Sequence, residues 1–200
     1  MIGGVNVPQL GNTNVIDMTG HAYTANNFVA ISGCTFTNGN GTTVNGYYYL
    51  LQNCQGTIDS CTFAALTDKW GAYVYVAGTA SNMTIKNTST IAISVNGAGG
   101  KLTLSNVSLS LLGFQSPGGT IINLDTYLSV VRVIENSNNS GTLNIASGTV
   151  IQLKGNAPQY VSAGKITVET GGCKFITTTG TTVNVPAGTY TKFLNDGTYS

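Results

Sequence analysis

The stretch that decides the fold is Ile31-Ser32-Gly33-Cys34-Thr35-Phe36, and three later segments repeat its pattern: IDSCTF at 58–63, IKNTST at 85–90 and LSNVSL at 104–109. The first three segments are evenly spaced, and the interval before the fourth is shorter. Repeats of this kind are typical of stacked architectures, because a single unit cannot bury its apolar side without a neighbour. The sequence therefore predicts a stack of β-coils with a continuous core.

Side chains alternate between two faces of a strand, so the repeat also predicts which residues face inward. We expect Cys34 and Phe36 to point inward and Thr35 outward. The anchor positions of the repeat should form one buried column: Ile31, Ile58, Ile85 and Leu104. Asn87 and Asn106 share a turn position, where stacked amides can form hydrogen bonds along the rod.

Cys34 and Cys61 should lie in one inward column on adjacent coils. Cysteine behaves as a small hydrophobic residue in a core, which favours a pair of buried thiols. The spacing of neighbouring strands also suits a disulfide, so geometry leaves both states open.

The pattern extends to both sides of the repeat. The residues nine positions before the anchors should face inward, and the residues ten positions before them, Tyr48, Tyr75 and Ser94, should face outward. A weaker version of the motif recurs at 143–145, 166–168 and 183–185, with Val150 and Cys173 five residues after Ile145 and Val168. Residues 120–141 fit the period poorly and look like two strands followed by a turn.

The segments at 29–38 and 56–63 resemble the right-handed parallel β-helix, or pectate-lyase-like, superfamily, which includes bacteriophage tailspikes and fibre modules. The resemblance implies an all-β fold, a single-stranded solenoid of about seven to eight coils. We divide this one domain into an N-terminal cap at 1–27, regular coils at 28–119 and a less regular, β-rich C-terminal part at 120–200.

Composition narrows the function classes. Charged residues make up 8% of the chain, against about 25% in ordinary soluble proteins. The net charge of +1 gives no electrostatic footprint for nucleic acid or an anionic membrane surface. No apolar run approaches the roughly 18 residues of a membrane span, and the N-terminus lacks a signal-peptide pattern. A surface of hydroxyls and amides suits tight, dry packing, which predicts a homo-oligomer or a larger assembly. The resemblance to tailspikes and fibre modules implies that the oligomer is a trimer.

The chain offers no catalytic or metal-binding pattern. Its seven acidic residues are scattered, and it has a single histidine and a single arginine, His21 and Arg132. We therefore predict no catalytic residues, no metal site and no cofactor. Asp59 and Lys86 should form an exposed salt bridge between neighbouring coils, worth at most about 1 kcal/mol.

Aromatic residues are the candidate binding groups. Tyr48 and Tyr75 are expected to stack outward, while Trp70 and Tyr73 lie in and after a polar excursion. Exposed aromatic rings can stack on sugars or anchor a protein interface. The alternative is a cross-strand aromatic pair that only stabilises the sheet.

Together these features predict a structural or attachment protein, in the form of a phage tailspike, tail-fibre or head-fibre module that binds a host glycan or neighbouring subunits. Its location would then be the virion, assembled in the host cytoplasm. One alternative is a lyase or hydrolase that cleaves a surface polysaccharide, which the same superfamily implies. The other is a secreted adhesin or filament subunit at the cell surface.

Overall fold

The protein is described here by a computed structural model, which covers residues 14–17, 23–24, 28–37, 43–44, 47–52, 55–63, 73–76, 82–87, 89–95, 101–114, 121–136, 141–155 and 160–200. These residues form an all-β structure without a helix, in a mostly parallel sheet that does not close on itself. Consequently, no helix in the described part of the chain is long and apolar enough to cross a membrane.

The strands are numbered in the order in which they occur along the chain. Their bounds are β1 Asn14–Asp17, β2 Tyr23–Thr24, β3 Phe28–Ser32, β4 Cys34–Thr37, β5 Thr43–Val44, β6 Tyr47–Gln52, β7 Gln55–Asp59, β8 Thr62–Phe63, β9 Tyr73–Val76, β10 Asn82–Lys86, β11 Ser89–Val95, β12 Lys101–Phe114, β13 Ile121–Asn136, β14 Thr142–Ile145, β15 Val150–Leu153, β16 Tyr160–Val168, β17 Cys173–Ile176, β18 Thr182–Val185 and β19 Gly188–Leu194.

The anchor column is confirmed as a register of parallel strands. Each anchor lies opposite the next across β3, β7, β10, β12, β13, β14 and β16, and the members are Ile31, Ile58, Ile85, Leu104, Leu124, Ile145 and Val168. The intervals between consecutive anchors are unequal, longest among the first three and shortest between Ile85 and Leu104. The chain thus returns to the same register although the length of each excursion varies.

The parallel strands fall into three groups. The first contains the anchors, and the second joins β1, β4, β8, β11, β12, β13, β15 and β17. The third joins β2, β6, β9, β11, β12 and β13. The long strands β12 and β13 both pair in all three groups. Each of them is one continuous segment that takes part in the first, the second and the third group.

Alternation along the strands places the core. In the first group, a second buried column runs two residues before the anchors through Leu102, Ile122, Leu143 and Ile166, each of which is fully buried. The residues between the two columns are partly exposed Thr and Asn. Cys34 and Cys61 are also buried and Thr35 is partly exposed, as the repeat predicts.

Residues 121–136 form one long strand, β13, and the expected pair of strands is wrong. Its register with β12 shifts by one residue after Ser105, so that Leu104 lies opposite Leu124 but Val107 lies opposite Leu128. The extra residue is a β-bulge, which displaces the later apolar residues from the spacing of the repeat. Beyond the bulge, Leu128 and Val130 are buried again, together with Ser129 between them.

We call the residues between an anchor and the second-group strand that follows it a corner. These corners become longer towards the C-terminal side of the chain. Leu128 lies opposite Ile151, and Ile151 lies opposite Phe175. The inward positions are therefore Ile151 and Phe175, and the expected equivalence of Val150 with Cys173 is wrong, because Val150 lies opposite Lys174. Added corner residues change the offset but leave the parallel pairing intact.

The first five corners share an unusual backbone conformation. Two residues after each anchor, φ is positive, at Gly33 (65°), Ser60 (53°), Asn87 (48°), Asn106 (53°) and Thr126 (65°). Gly and Asn adopt this left-handed conformation at low cost, whereas a β-branched Thr is strained in it. Backbone hydrogen bonds join neighbouring corners across the sheet, since the N–H groups of Gly33 and Ser60 donate to the carbonyls of Asp59 and Lys86 at 3.1 Å.

The parallel arrangement ends in antiparallel strands. β18 pairs with β17, and β19 pairs with β16, both in the antiparallel sense. Gly172, at φ 75°, permits the close approach of β18, because a Cβ atom there would lie 2.5 Å from the Val185 carbonyl oxygen. These strands cover edges of β16 and β17 that would otherwise present unpaired backbone groups.

The anchor column makes Leu104→Ala a sharp test of the core. The side chain is 1% exposed and is flanked by Ile85 and Leu124, so its truncation should leave a cavity and lower the free energy of unfolding by about 2–5 kcal/mol. Thr103→Ala, one residue earlier on the partly exposed face, should cost far less. Urea denaturation of both variants measures the difference; equal losses would contradict the assigned inward and outward faces.

The strained corner offers a stabilising change. Thr126→Asn should raise the free energy of unfolding by about 1 kcal/mol, because Asn tolerates the left-handed conformation better than Thr does. Thr84→Asn places the same exchange in the extended backbone of β10, where Thr is preferred, and should give no gain. Chemical denaturation of the two variants decides, and a Thr126→Asn protein less stable than the parent would rule out strain at this corner.

Candidate functional site

Three of the four predicted aromatic residues lie in strands of the third group. Tyr48 is in β6, and Tyr73 and Tyr75 are in β9. Trp70, together with Cys54, Asp68 and His21, lies outside the described residues. The binding role of Tyr48, Trp70, Tyr73 and Tyr75 stays a prediction.

The register changes which tyrosines are neighbours. Tyr75 lies opposite Gln52 on one side and Ser94 on the other, so the expected stacking of Tyr48 with Tyr75 is wrong. Tyr48 instead pairs in an antiparallel bridge with Thr43. An irregularity in β6 between Tyr49 and Leu51 shifts the chain relative to β9, which the simple period does not contain. The two strands do bring Tyr49 opposite Tyr73.

Three polar side chains near the corners form a chain of hydrogen bonds across neighbouring strands. We call this set, Asp59, Asn87 and Asn106, the corner ladder. The Asn106 Nδ2 donates to Asn87 Oδ1 at 2.9 Å, and the Asn87 Nδ2 donates to Asp59 Oδ1 at 3.0 Å. The hydrogen-bonded turn column expected of Asn87 and Asn106 is confirmed. Asn87 is hydrogen-bonded on both sides and Asn106 on one, so the ladder links the residues that follow three neighbouring anchors.

The expected salt bridge between Asp59 and Lys86 is present and involves the carboxylate of the same ladder. Lys86 Nζ lies 3.1 Å from Asp59 Oδ2, with the two side chains 44% and 28% exposed. The hydrogen bond from the Asn87 amide has the largest effect on the pKa of Asp59 and lowers it. Burial has the next largest effect and opposes this, while Lys86 and Ser60 lower the pKa further. The Asp59 carboxylate is thus engaged in the fold through both oxygens, which leaves it poorly placed as a general acid.

A second ladder lies between the two buried columns of the first group. The Asn144 Nδ2 donates to Asn123 Oδ1 at 3.0 Å, and the Asn123 Nδ2 reaches Thr103 Oγ1 at 3.4 Å. Across the second group, the Tyr127 hydroxyl donates to Gln152 Oε1 at 2.6 Å. In the first and second groups, polar side chains therefore pair with one another across neighbouring strands.

An aromatic cluster underlies the antiparallel strands. Tyr190 packs edge-on against Phe193 and Tyr199, with ring centroids 5.6 Å and 5.2 Å apart, and Phe193 also contacts Phe175 at 5.8 Å. Tyr199 is 39% exposed, and Tyr190 donates a hydrogen bond to the Pro186 carbonyl at 2.9 Å. Sequence analysis missed Tyr199 as an exposed aromatic, although the close spacing of Tyr190, Phe193 and Tyr199 was the available signal.

The described residues do not assemble a metal site, since no three His, Cys, Asp or Glu side chains among them lie close enough to share an ion. Asp125, Glu169 and Asp196 lie at separate corners or turns. Asp196 accepts hydrogen bonds from Thr198 at 2.9 Å and 2.7 Å, which lowers its pKa and stabilises the last turn.

The three described cysteines are buried, reduced thiols. Burial raises the pKa of Cys34 and Cys61, and raises that of Cys173 to about 11. These thiols are protonated at neutral pH, which makes them weak nucleophiles and agrees with the expectation of thiols in the core.

No protein-family model, no curated protein and no solved structure matches this chain.

The corner ladder gives a stability signal that depends on pH. The folded state lowers the pKa of Asp59 below its usual 3.8, so its contribution is present above that value and lost as the pH falls through the folded pKa. Asp59→Asn keeps an oxygen that can accept from Asn87 but removes the charge that pairs with Lys86. The parent should therefore exceed this variant in stability by less than about 1 kcal/mol at pH 7, and this margin should shrink as the pH falls below 3.8.

Chemical denaturation of both proteins between pH 7 and pH 3 measures that margin. A margin that stays constant over the whole range would mean that the Asp59 charge contributes nothing to folding.

Proposed function

We propose that the chain winds as a right-handed parallel β-helix and serves as the rod of a non-catalytic structural or attachment protein, such as a tailspike, tail-fibre or head-fibre module of a phage virion. The observation that carries the proposal is the register of seven anchors across parallel strands, from Ile31 to Val168. Long strands that contribute to all three groups support a winding path, because each excursion brings the chain back beside its previous turn.

The surface supports a mechanical role. Backbone pairing between successive strands is reinforced by side-chain ladders, including Asn106–Asn87–Asp59 and Asn144–Asn123–Thr103. A rod held together in this way resists local opening, because strand separation breaks backbone and side-chain hydrogen bonds together. Few charges oppose lateral packing of such rods, since only 8% of the residues are charged.

The proposed assembly is a homotrimer that contacts a host glycan or a neighbouring subunit. Tyr48, Trp70, Tyr73 and Tyr75 are the proposed contact residues, and no cofactor is required. Tyr and Trp suit either role, because their rings combine a large apolar surface with a polar group. The alternatives, a polysaccharide-cleaving enzyme and a secreted adhesin or filament subunit, predict different solution behaviour.

Size-exclusion chromatography with light scattering tests the assembly. We expect a discrete trimer near three times 20.7 kDa, independent of loading concentration. Incubation of the same sample with capsular or O-antigen polysaccharide should leave the length of the polymer unchanged.

A stable monomer at all concentrations would overturn the trimeric fibre. A broad distribution of high mass would favour the filament subunit, and shortening of the polysaccharide would favour the enzyme. Comparison of the parent with Asp59→Asn in that assay would then show whether this carboxylate takes part.

A further inference from the structure

Two buried thiols lie beside each other in the sheet, Cys34 as the first residue of β4 and Cys61 directly before β8. Ile31 pairs with Ile58, and Thr35 pairs with Thr62, with the same sequence offset in both pairs. That offset also relates Cys34 to Cys61, so the parallel register on both sides brings these two residues beside each other. They are 4% and 2% exposed.

The two side chains also adopt the same orientation. Each Sγ donates to the carbonyl two residues earlier at 3.3 Å, Cys34 to Ser32 and Cys61 to Asp59. The Cys34 thiol lies close enough to influence the Cys61 thiol electrostatically, and the Cys34 backbone interacts with it directly. The sulfur atoms are therefore stacked along the sheet with no other described element between their strands.

Neighbouring strands lie about 4.8 Å apart, which falls within the Cα separation of about 4.4–6.8 Å that a disulfide spans. We propose that Cys34 and Cys61 are a disulfide-forming pair that crosslinks β4 to the start of β8 when the protein meets a small-molecule disulfide. The proposal concerns the chemistry of this pair and stands whether or not the chain belongs to an attachment fibre.

The reaction balances as two thiol–disulfide exchanges. One deprotonated thiol attacks the oxidant, here oxidised glutathione, and forms a mixed disulfide while one glutathione thiolate leaves. The second cysteine then attacks the protein sulfur of that mixed disulfide, forms the Cys34–Cys61 bond and releases the second glutathione. Two protons and two electrons pass from the protein to the oxidant, which becomes two molecules of reduced glutathione.

Burial sets the rate of this reaction. The pKa of each thiol is raised by desolvation, and the oxidant must reach sulfur atoms that solvent barely touches. Oxidation of the folded protein should therefore be slow at neutral pH and faster at alkaline pH or in mild denaturant. One S–H donor must also leave its carbonyl, because the sulfurs have to turn towards each other.

A double variant, Cys54→Ala with Cys173→Ala, retains only the proposed pair and isolates it. After treatment with oxidised glutathione at alkaline pH in mild urea, cleavage before aspartate yields peptides 17–58 and 59–67, which carry Cys34 and Cys61 separately. We expect these peptides to remain joined, with a mass two hydrogen atoms below their sum, and to separate on reduction. Adding Cys34→Ala to this variant should abolish the joined species.

In the parent protein, peptide 17–58 carries both Cys34 and Cys54, so a second cleavage after the aromatic residues at 47–49 is needed to separate them. The products then show whether Cys34 is preferred over Cys54 or Cys173 as the partner of Cys61. The crosslinked form of the double variant should unfold at a midpoint at least about 5 °C above its reduced form. Failure of the folded double variant to join these peptides, with both thiols still open to alkylation after denaturation, would overturn the proposal. So would a joined species in the parent that links Cys61 to another cysteine in preference to Cys34.

Discussion

Parallel pairing in a common register is the constraint on which the rest of this structure depends. Side chains alternate across a strand, so a slip of one residue would move Leu104 and its neighbours from the core to the surface. The anchors keep their pairing although the intervals between them are unequal. Length changes must therefore be absorbed between strands, at corners and loops, where no register is defined.

The corners show how that absorption works. The first four use one residue in the left-handed conformation, and the fifth places a strained Thr126 beside a bulge. The following corners are longer and use glycines, with positive φ at Gly148, Gly171 and Gly172. The corner ladder of Asp59, Asn87 and Asn106 involves only corners of this uniform type. At Thr126 the side-chain contact is instead between its Oγ1 and Ser105 Oγ, at 3.2 Å.

The sequence predicts those parts of the structure in which one residue spacing holds. Four anchors, the Asp59–Lys86 salt bridge and the Asn87–Asn106 hydrogen bond follow from the offset between neighbouring motifs. The sequence does not predict β13 as one strand, because a single inserted residue at the bulge removes the spacing while leaving backbone pairing intact. The neighbours of Tyr75 were misassigned for the same reason, since β6 contains an irregularity. The antiparallel strands were also missed, because a hairpin sequence does not reveal which strand it will cover.

The antiparallel strands bear on how copies of this chain associate. β18 and β19 occupy edges of β17 and β16, and both run opposite to the strands that they cover. A second copy that paired with them could not extend the parallel anchor register of the first. The partly exposed Thr and Asn columns lie along the stack, where side-chain ladders already satisfy many polar groups. Association through these lateral surfaces would require little desolvation of charge, so the proposed trimer is compatible with the polar character of these columns.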